Sequence, residues 1–350
     1  MKRFVRIIVI LVCLSLVTVS FSSCADKDRA DADSGYQMIM GTFAHVVAVG
    51  EDSSTAKKCV RAALEEIHKV DDLMSDYKSN SEICRINRDA HEKAVKVSEP
   101  TYEVLQRSIE FSKMTDGAFD VTVGPLVALF REAKKNKVAP SEEHIALAKS
   151  KVGFEKLKLD SNDKTVQFSD NGMLLDLGGI AKGYAIDKAI EVAQNNGAIG
   201  AMVDIGGDVR CFGLPPKGKD HWLIGLQDPN SAIKGISGGG LLQVLKITDA
   251  AVATSGDYQQ FVLIDGKRFS HIMDRSTGTS AEGLSSVTII ADNATDADAL
   301  ATSVSVMDTE KSLALIEKLP NTEAILITSQ PKYEIIKTSG AEKYIKSAGL

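Results

Sequence analysis

The chain has 350 residues, of which 44% are hydrophobic and 25% charged, and its formal net charge is −6. This length is sufficient for a large buried core. An acidic chain without runs of basic residues is poorly suited to the phosphate backbone of nucleic acid, so DNA and RNA are excluded as expected partners.

The N-terminus has the layout of an export signal. Lys2, Arg3 and Arg6 precede an apolar run at 7–21, and two serines separate that run from Cys24. As a helix the apolar run would be about 22 Å long, which is less than the roughly 30 Å of a membrane's hydrocarbon core. The segment is therefore predicted to be a cleaved signal peptide and not a permanent membrane span.

The serines before Cys24 resemble the lipobox of bacterial lipoproteins, although Phe21 stands where that motif prefers leucine. The resemblance implies that Cys24 is lipidated and anchors the protein to a membrane of the bacterial cell envelope, facing the periplasm or the outside. The alternative is a secreted protein in which Cys24 has no special role. We accordingly predict a signal peptide at 1–23, the lipidated cysteine with a flexible, polar tether at 24–36, and one domain at 37–350.

In the first half of that domain, helices dominate the predicted elements. A strand at 37–49 is followed by a helix at 51–74, whose apolar positions repeat at helical spacing. A second helix runs from 98, where Glu99 and Pro100 form a typical helix start, to 114. Shorter helices are predicted at 125–133 and 141–149, and two short strands at 157–159 and 165–168.

The second half is dominated by strands. A glycine-bearing turn at 176–183 leads into a helix that ends near 195. Strands are predicted at 201–205, 209–212, 222–227, 241–248, 260–264 and 287–290, then helices at 295–307 and 308–319, then strands at 323–328 and 333–337. Because strands and helices come in blocks, we expect an α+β fold, with largely antiparallel sheets covered by helices in a single domain.

The turn at 176–183, DLGGIAKG, has features of a phosphate site. Gly178 and Gly179 allow a ligand to approach the backbone, and the start of the following helix offers free N–H groups. Lys182 adds a positive charge. The segment has neither the Walker pattern nor the dinucleotide-binding GxGxxG pattern. The alternative is a tight strand-to-helix turn with a solvated lysine.

The helix at 295–307 contains a pair of oxygen ligands. Asp298 and Thr302 are four residues apart, so their side chains lie on the same face of the helix. One carboxylate and one hydroxyl suit Mg²⁺, which keeps water or phosphate oxygens in its other positions. The alternative is an ordinary first helical turn in which Thr295 is the N-cap and the acidic residues favour the helix dipole.

Three polar segments supply further candidates. His271 lies at a strand end beside a polar turn, where it is suited to act as a base or to contact phosphate, or simply to bond the backbone. Tyr77 is an aromatic residue in a polar loop, where it can stack on a flat ring. The glycine turn 116–120 either grips a base or ribose or connects two helices.

The order of these segments resembles the ApbE family, the FAD:protein FMN transferases, over nearly the whole length after the signal. The matching motifs are MGT at 40–42, MSDY at 74–77 with SE at 81–82, TDGAFD at 115–120, DLGGIAKGYAID at 176–187, GGD at 206–208, HIMD at 271–274 and ADALAT at 297–302. Members of the family are commonly exported lipoproteins, which agrees with Cys24.

The resemblance implies a role for each matching position. Asp298 and Thr302 would bind Mg²⁺ through their side chains, and Gly179 through its carbonyl oxygen. His271 would be the catalytic base. The FAD site would be lined by Met40, Tyr77, Ala118, Phe119, Asp120, Asp176, Lys182 and Ile272. The family usually has proline after HxxD, and Arg275 in its place predicts a looser and more cationic turn.

The activity implied by the resemblance is Mg²⁺-dependent transfer of FMN from FAD to a threonine or serine hydroxyl of a partner protein, with release of AMP. In the family, the partners are subunits of membrane electron-transfer complexes. The sequence leaves two alternatives open. One is an FAD pyrophosphatase, in which water replaces the hydroxyl, and the other is an FAD-binding lipoprotein without catalysis.

Overall fold

The computed structural model describes residues 29–230, 240–256, 261–264, 267–329 and 331–346. The predicted signal peptide and Cys24 lie outside the described residues. Within these ranges, none of the helices has the length and apolar character needed to cross a membrane.

The described elements are eighteen strands and eight α-helices. The strands are β1 (Ala30–Asp33), β2 (Gln37–Ile39), β3 (Thr42–Gly50), β4 (Val95–Lys96), β5 (Leu157–Asp160), β6 (Thr165–Phe168), β7 (Gly200–Ile205), β8 (Asp208–Gly213), β9 (Trp222–Gln227), β10 (Leu241–Ile247), β11 (Ala250–Gly256), β12 (Phe261–Ile264), β13 (Lys267–Ser270), β14 (Met273–Asp274), β15 (Thr279–Ser280), β16 (Leu284–Ala291), β17 (Glu323–Thr328) and β18 (Ile335–Lys337). The helices are α1 (Ser53–Met74), α2 (Glu82–Asp89), α3 (Glu99–Met114), α4 (Gly124–Asn136), α5 (Glu142–Ser150), α6 (Ala181–Asn195), α7 (Ala294–Val306) and α8 (Thr309–Ile316).

A nine-stranded antiparallel sheet forms the centre of the fold. Its order is β1-β3-β7-β8-β11-β16-β17-β18, with β2 also paired to β3. Helices α1, α6 and α7 pack on one face, and the β9–β10 ribbon covers the other. The neighbours Val46 and Val47 show the arrangement, because Val46 is buried under the helices and Val47 under the ribbon. The α+β prediction of antiparallel sheets covered by helices is confirmed.

The sequence pattern did not predict strand β11, although it lies near the middle of the sheet. Ala251 and Ala253 point into the helix-covered core, and Ala250 and Val252 into the ribbon-covered core. A strand that is buried on both faces has no alternation of polar and apolar residues. Its small side chains let α7 lie close to the sheet.

A third, smaller core joins helix α4 to the strands β12–β15. Leu126 and Phe130 of α4 pack with Phe269 and Met273, and the rings of Phe130 and Phe269 are 5.2 Å apart at their centroids. This core fixes the segment that carries His271 against the segment that carries α4.

Two local predictions were wrong. The strand predicted at 37–49 is a hairpin, because Met40 and Gly41 both have positive φ (55° and 71°) and form a two-residue turn between β2 and β3. The tether is not flexible as far as residue 36, since β1 bonds along the edge of β3. The alternative interpretation of the helix at 295–307, with Thr295 as N-cap, is also wrong in that detail, because the N-cap of α7 is Asn293, which accepts from the N–H of Asp296 at 2.8 Å.

Candidate active site

Helices α6 and α7 meet at a glycine. A Cβ atom on Gly183 would overlap the carbonyl oxygen of Ala294, so the two backbones are in direct contact there. The N–H of Gly183 donates to Oδ2 of Asp298 at 3.0 Å. The glycine therefore brings the start of α6 onto the first turns of α7 and binds its carboxylate.

A buried charge cluster forms at this junction. Asp298 is 2% exposed, and its Oδ1 accepts from Nζ of Lys182 at 3.1 Å. Lys182 also pairs with Asp208, which is 3% exposed and accepts from the N–H of Thr254 at 3.0 Å. One ammonium group thus lies between two buried carboxylates. The sequence did not predict a role for Asp208.

Burial and charge determine the protonation of this cluster. The pKa of Asp298 is raised to about 6, chiefly by burial and in smaller part by the charge of Asp208, while Lys182 and the N–H of Gly183 oppose the rise. Burial alone would lower the pKa of Lys182, but the two carboxylates outweigh it, and the pKa is raised above its usual value. Lys182 therefore stays cationic at neutral pH, and Asp298 is mostly ionised there.

Gly179 and Thr302 complete this end of the site. A Cβ atom on Gly179 would lie 2.8 Å from Oγ1 of Thr302, so the turn before α6 rests directly on that hydroxyl. Asp298 is one helical turn before Thr302 on α7, so the backbone of Gly179 lies beside the helix face that carries both side chains. We call the group Gly179, Lys182, Asp208, Asp298 and Thr302 the helix end of the site.

The donor set of the helix end fits a hard divalent cation. Carboxylate, hydroxyl and carbonyl oxygens are the ligands that Mg²⁺ prefers, with few supplied by the protein. Over the described ranges no group of three or more His, Cys, Asp or Glu residues is placed to hold a metal. A cation at the helix end would therefore depend on the single ligand carboxylate of Asp298, together with neutral oxygens.

Arg131 of α4 organises the opposite part of the site. Its guanidinium carbon lies 4.9 Å from the ring centroid of Tyr77, which is 77% exposed. Arg131 pairs with Asp76 and, at 3.3 Å, with Oδ2 of Asp176. Asp176 also accepts from the N–H of Gly178 at 2.8 Å. No motif pointed to Arg131, because its partners are distant in sequence.

The pKa of Asp176 is shifted by burial and by the charged groups around it. Burial raises the pKa of Asp176; the N–H of Gly178 and the charge of Arg131 oppose this, and the nearby charge of Asp76 adds to it. Asp176 therefore links the loop of Tyr77, through Arg131, to the glycine turn that leads into the helix end. Two of the predicted site residues, Tyr77 and Asp176, are joined by a third that the sequence did not reveal.

Two of the larger side chains in the loop 115–120, those of Phe119 and Asp120, are turned away from the surface. Phe119 is 2% exposed and packs on Phe111 with ring centroids 5.9 Å apart. The side chain of Asp120 is 0% exposed. It accepts from Thr122 N–H at 2.8 Å and from Phe154 N–H at 3.0 Å. Exposed Asp116 and half-buried Ala118 are therefore the side chains of this loop that a ligand can reach.

Met40 and His271 approach from two further segments. Met40 is half-buried at the tip of the β2–β3 hairpin, which bonds to the turn before Asp208 through Gly206 N–H and Phe43 carbonyl at 2.8 Å. His271 is exposed directly after β13, and the next residue, Ile272, is 7% exposed. We call Tyr77, Ala118, Arg131, Asp176, His271 and Ile272 the loop end of the site.

The turn after His271 is not loose, so that prediction was wrong. Arg275 donates from Nη1 to Oδ2 of Asp120 at 2.6 Å and from Nη2 to Oε1 of Glu155 at 3.1 Å. The two carboxylates neutralise the guanidinium, and these bonds hold the turn to the segments that carry Asp120 and Glu155.

Comparisons with known proteins agree with this arrangement. The model of the ApbE family matches residues 40–326. A FAD:protein FMN transferase of Treponema pallidum is 30% identical over 91% of this chain and 90% of its own length. A FAD:protein FMN transferase of Haemophilus influenzae is 32% identical over 93% of this chain and 94% of its own length.

Solved structures are similar over the same length. The ApbE protein from Thermotoga maritima has a TM-score of 0.79 and 32% identity, covering 91% of this chain and 99% of that one. The flavin transferase ApbE from Vibrio cholerae has a TM-score of 0.76 and 28% identity, with the same coverage. Fold and likeness together define an enzyme of the flavin transferase class. The chain belongs to the ApbE family, so the family and enzyme predictions are confirmed.

Proposed function

We propose that the protein transfers the FMN part of FAD to a threonine or serine hydroxyl of a partner protein, with Mg²⁺ bound at the helix end. The observation that carries the proposal is the buried cluster of Lys182, Asp208 and Asp298 at the start of α6, beside Thr302. It combines a fixed cation, a helix N-terminus and oxygen ligands at one point, which is what a pyrophosphate and its metal ion require.

The helix end binds the pyrophosphate of FAD in this proposal. The ammonium of Lys182 neutralises negative charge, and the positive end of the α6 helix dipole favours phosphate oxygens there. Asp208 holds Lys182 in place through its ion pair. Because Asp208 and Asp298 are both buried, these charges are held with little mobility, so the site is organised before the substrate arrives.

Asp298, Thr302 and the carbonyl of Gly179 are the residues that would hold Mg²⁺. When bound, the ion supplies charge neutralisation at the pyrophosphate and at the leaving AMP. Lys182 would keep its ion pair with Asp208 when the carboxylate of Asp298 binds the ion. The absence of a side chain on Gly179 leaves room for Thr302 to approach.

His271 receives the proton of the acceptor hydroxyl. The hydroxyl oxygen forms a new bond to the phosphorus of the FMN half, the bond from that phosphorus to the bridging oxygen breaks, and AMP leaves with the electron pair. His271 is exposed after β13, where a polypeptide acceptor can reach it. The product is FMN joined to the partner through a phosphoester.

The loop end recognises the rings of FAD. One side of the Tyr77 ring is covered by Arg131, and the ring is otherwise largely exposed, so it offers an aromatic surface on which a flat ring stacks. Ala118 and the backbone of its loop contact the edge of the bound ring, and Met40 and Ile272 supply apolar contacts. Stacking accepts different flat rings, so the backbone of the loop 115–120 determines how the ring is oriented.

The protein reaches its substrate proteins from the cell envelope, in our proposal, with lipidated Cys24 as membrane anchor after cleavage of 1–23, facing the periplasm or the outside. The acceptor is a subunit of a membrane electron-transfer complex. An envelope protein with a membrane anchor and an exposed His271 would meet such subunits at the membrane surface.

The test is to incubate the purified protein with FAD and Mg²⁺, with and without a peptide that carries an acceptor threonine, and to resolve the products by mass spectrometry. The expected result is a peptide heavier by one FMN group together with AMP. AMP and free FMN regardless of the peptide would indicate a pyrophosphatase. Intact FAD in both samples would indicate a flavin carrier without catalysis.

A further inference from the structure

The turn between β14 and β15, which follows His271, is held from two sides. On one side, Lys149 of α5 donates to the carbonyl of Ser276. A Cβ atom on Gly278 would lie 2.7 Å from Cγ2 of Ile145, so α5 also packs directly on the turn. On the other side, the turn is held by the side chain of Arg275.

Arg275 connects this turn to the loop that carries Ala118. Its guanidinium bonds Asp120 at 2.6 Å and Glu155 at 3.1 Å. Its central carbon also lies 5.3 Å from the ring centroid of Phe154. A Cβ atom on Gly117 would lie 2.8 Å from that same carbon, so the guanidinium rests on the backbone next to Ala118.

The bond to Asp120 is costly to break. The side chain of Asp120 is 0% exposed, and its other donors are the uncharged groups of Thr122 and Phe154. A buried carboxylate without its cation is strongly unfavourable, so the loop and the turn would shift if the guanidinium were removed. The pairing therefore holds the two segments at a fixed separation.

We propose that Arg275 is a positioning residue that sets the spacing between Ala118 and the His271–Ile272 segment, and so controls the affinity for FAD and the placement of the base. The inference rests on the proposed function, because Ala118 and His271 border the FAD site there. Arg275 itself touches no reacting atom. It acts through Asp120 and through the turn.

The experiment compares the full chain with Arg275→Ala and Arg275→Lys. We expect Arg275→Ala to raise the Kd for FAD about tenfold and to lower kcat/KM about 10- to 100-fold, as for a base displaced by about 1 Å. Arg275→Lys keeps the charge but cannot bond Asp120 and Glu155 together, so its values should lie between. The Kd is measured by flavin fluorescence well below the unfolding temperature.

The matched control is Arg85→Ala. Arg85 is also a half-exposed arginine that pairs with a carboxylate, Glu82, and donates to a backbone carbonyl, but it lies on α2. Its loss should leave the Kd for FAD unchanged. A purely structural role of Arg275 predicts a lower unfolding temperature with an unchanged Kd, and that result would overturn the proposal.

Hydrogen exchange separates failure of this proposal from failure of the proposed function. The N–H of Gly278 bonds the carbonyl of Asp274 at 2.8 Å, and the N–H of Ala281 bonds that of Ile272 at 2.9 Å. Both amides should exchange faster without FAD in Arg275→Ala, and in Arg275→Lys if the alanine variant does not fold. Unchanged exchange would contradict the proposal. No FAD binding by the unaltered protein would instead overturn the proposed function.

Discussion

The helix end and the loop end of the site are built in different ways. At the helix end, Asp208 and Asp298 are almost completely buried, and their positions are set by two packed helices and the central sheet. At the loop end, Tyr77 is 77% exposed, and its neighbours are held by the ion pairs of Arg131. A rigid end suits charge stabilisation at a phosphate, and an adaptable end suits recognition of rings and of an acceptor protein.

Because of this contrast, substitutions at the two ends should change different measured quantities, namely turnover and the affinity for FAD. Loss of a group at the helix end should reduce turnover, because that group acts on the developing charge. Apart from the base His271, loss of a group at the loop end should weaken FAD binding, because that group contacts parts of the substrate that do not react. The variants described below test this difference between the two ends.

The largest effect is expected for Asp298→Asn. The amide keeps the volume but removes the charge that binds the metal, so kcat should fall about 10²- to 10³-fold in a steady-state assay of AMP release. Asp296→Asn is the control, because Asp296 is on the same helix but pairs with Arg107. Equal loss in the two variants would show that helix stability, and not the site, is responsible.

Gly183→Ala should disrupt the helix end through packing. The added methyl group would overlap the backbone at Ala294 and push α6 away from α7, and overpacking of this kind destabilises by about 1–3 kcal/mol. Denaturant unfolding measures the change. Gly225→Ala is the control, because its methyl group would meet only the flexible end of Leu241. A fully stable Gly183→Ala protein would contradict the close contact of the two helices.

Tyr77→Ala should affect the loop end alone. Loss of a stacking ring costs about 1–3 kcal/mol, so the Kd for FAD in a fluorescence titration should rise by about 5- to 150-fold. Tyr77→Phe keeps the ring and should bind almost as the unaltered protein does. An unchanged Kd in Tyr77→Ala would remove this residue from the site.

The dependence on Mg²⁺ should change with pH. Metal binding needs the ionised carboxylate, and burial raises the pKa of Asp298 to about 6. Affinity for Mg²⁺ is therefore complete above that pKa and is lost below it, so the Mg²⁺ concentration for half-maximal activity should rise about tenfold per pH unit below 6. A requirement that does not vary between pH 5 and 8 would mean that protonation of Asp298 does not compete with the metal.

The smallest effect on catalysis is expected for Cys24→Ala. The residue lies outside the described part of the chain, before the domain, so FAD turnover should be unchanged while the protein leaves the membrane fraction. Fractionation of cell extracts measures the change. A variant that still sediments with membranes would show that another feature is the anchor.

The helix end was the more predictable part from sequence. The spacing of Asp298 and Thr302 and the glycines before a helix are local patterns, and a helix turns them directly into geometry. Asp208 was missed as a partner, because its contact with Lys182 depends on how β8 and α6 pack. Tertiary neighbours of this kind leave no mark in the local sequence.

The loop end was less predictable. Arg131 lies 45 residues before Asp176 in the chain, and nothing in its own helix distinguishes it. The inward orientation of Phe119 and Asp120 depends on Phe111, Thr122 and Phe154, which only the fold brings together. The arginine at 275 was read as loosening a turn, whereas its partner 155 residues earlier makes it a link.

The most direct test of the division between the two ends is to measure FAD affinity and single-turnover AMP release for Asp298→Asn and Tyr77→Ala side by side. We expect Asp298→Asn to bind FAD without metal as tightly as the unaltered protein and to release almost no AMP. Tyr77→Ala should bind weakly yet release AMP at nearly the normal rate once FAD is saturating. The opposite pattern, or an equal loss of affinity and rate in both variants, would contradict the separation of chemistry from recognition.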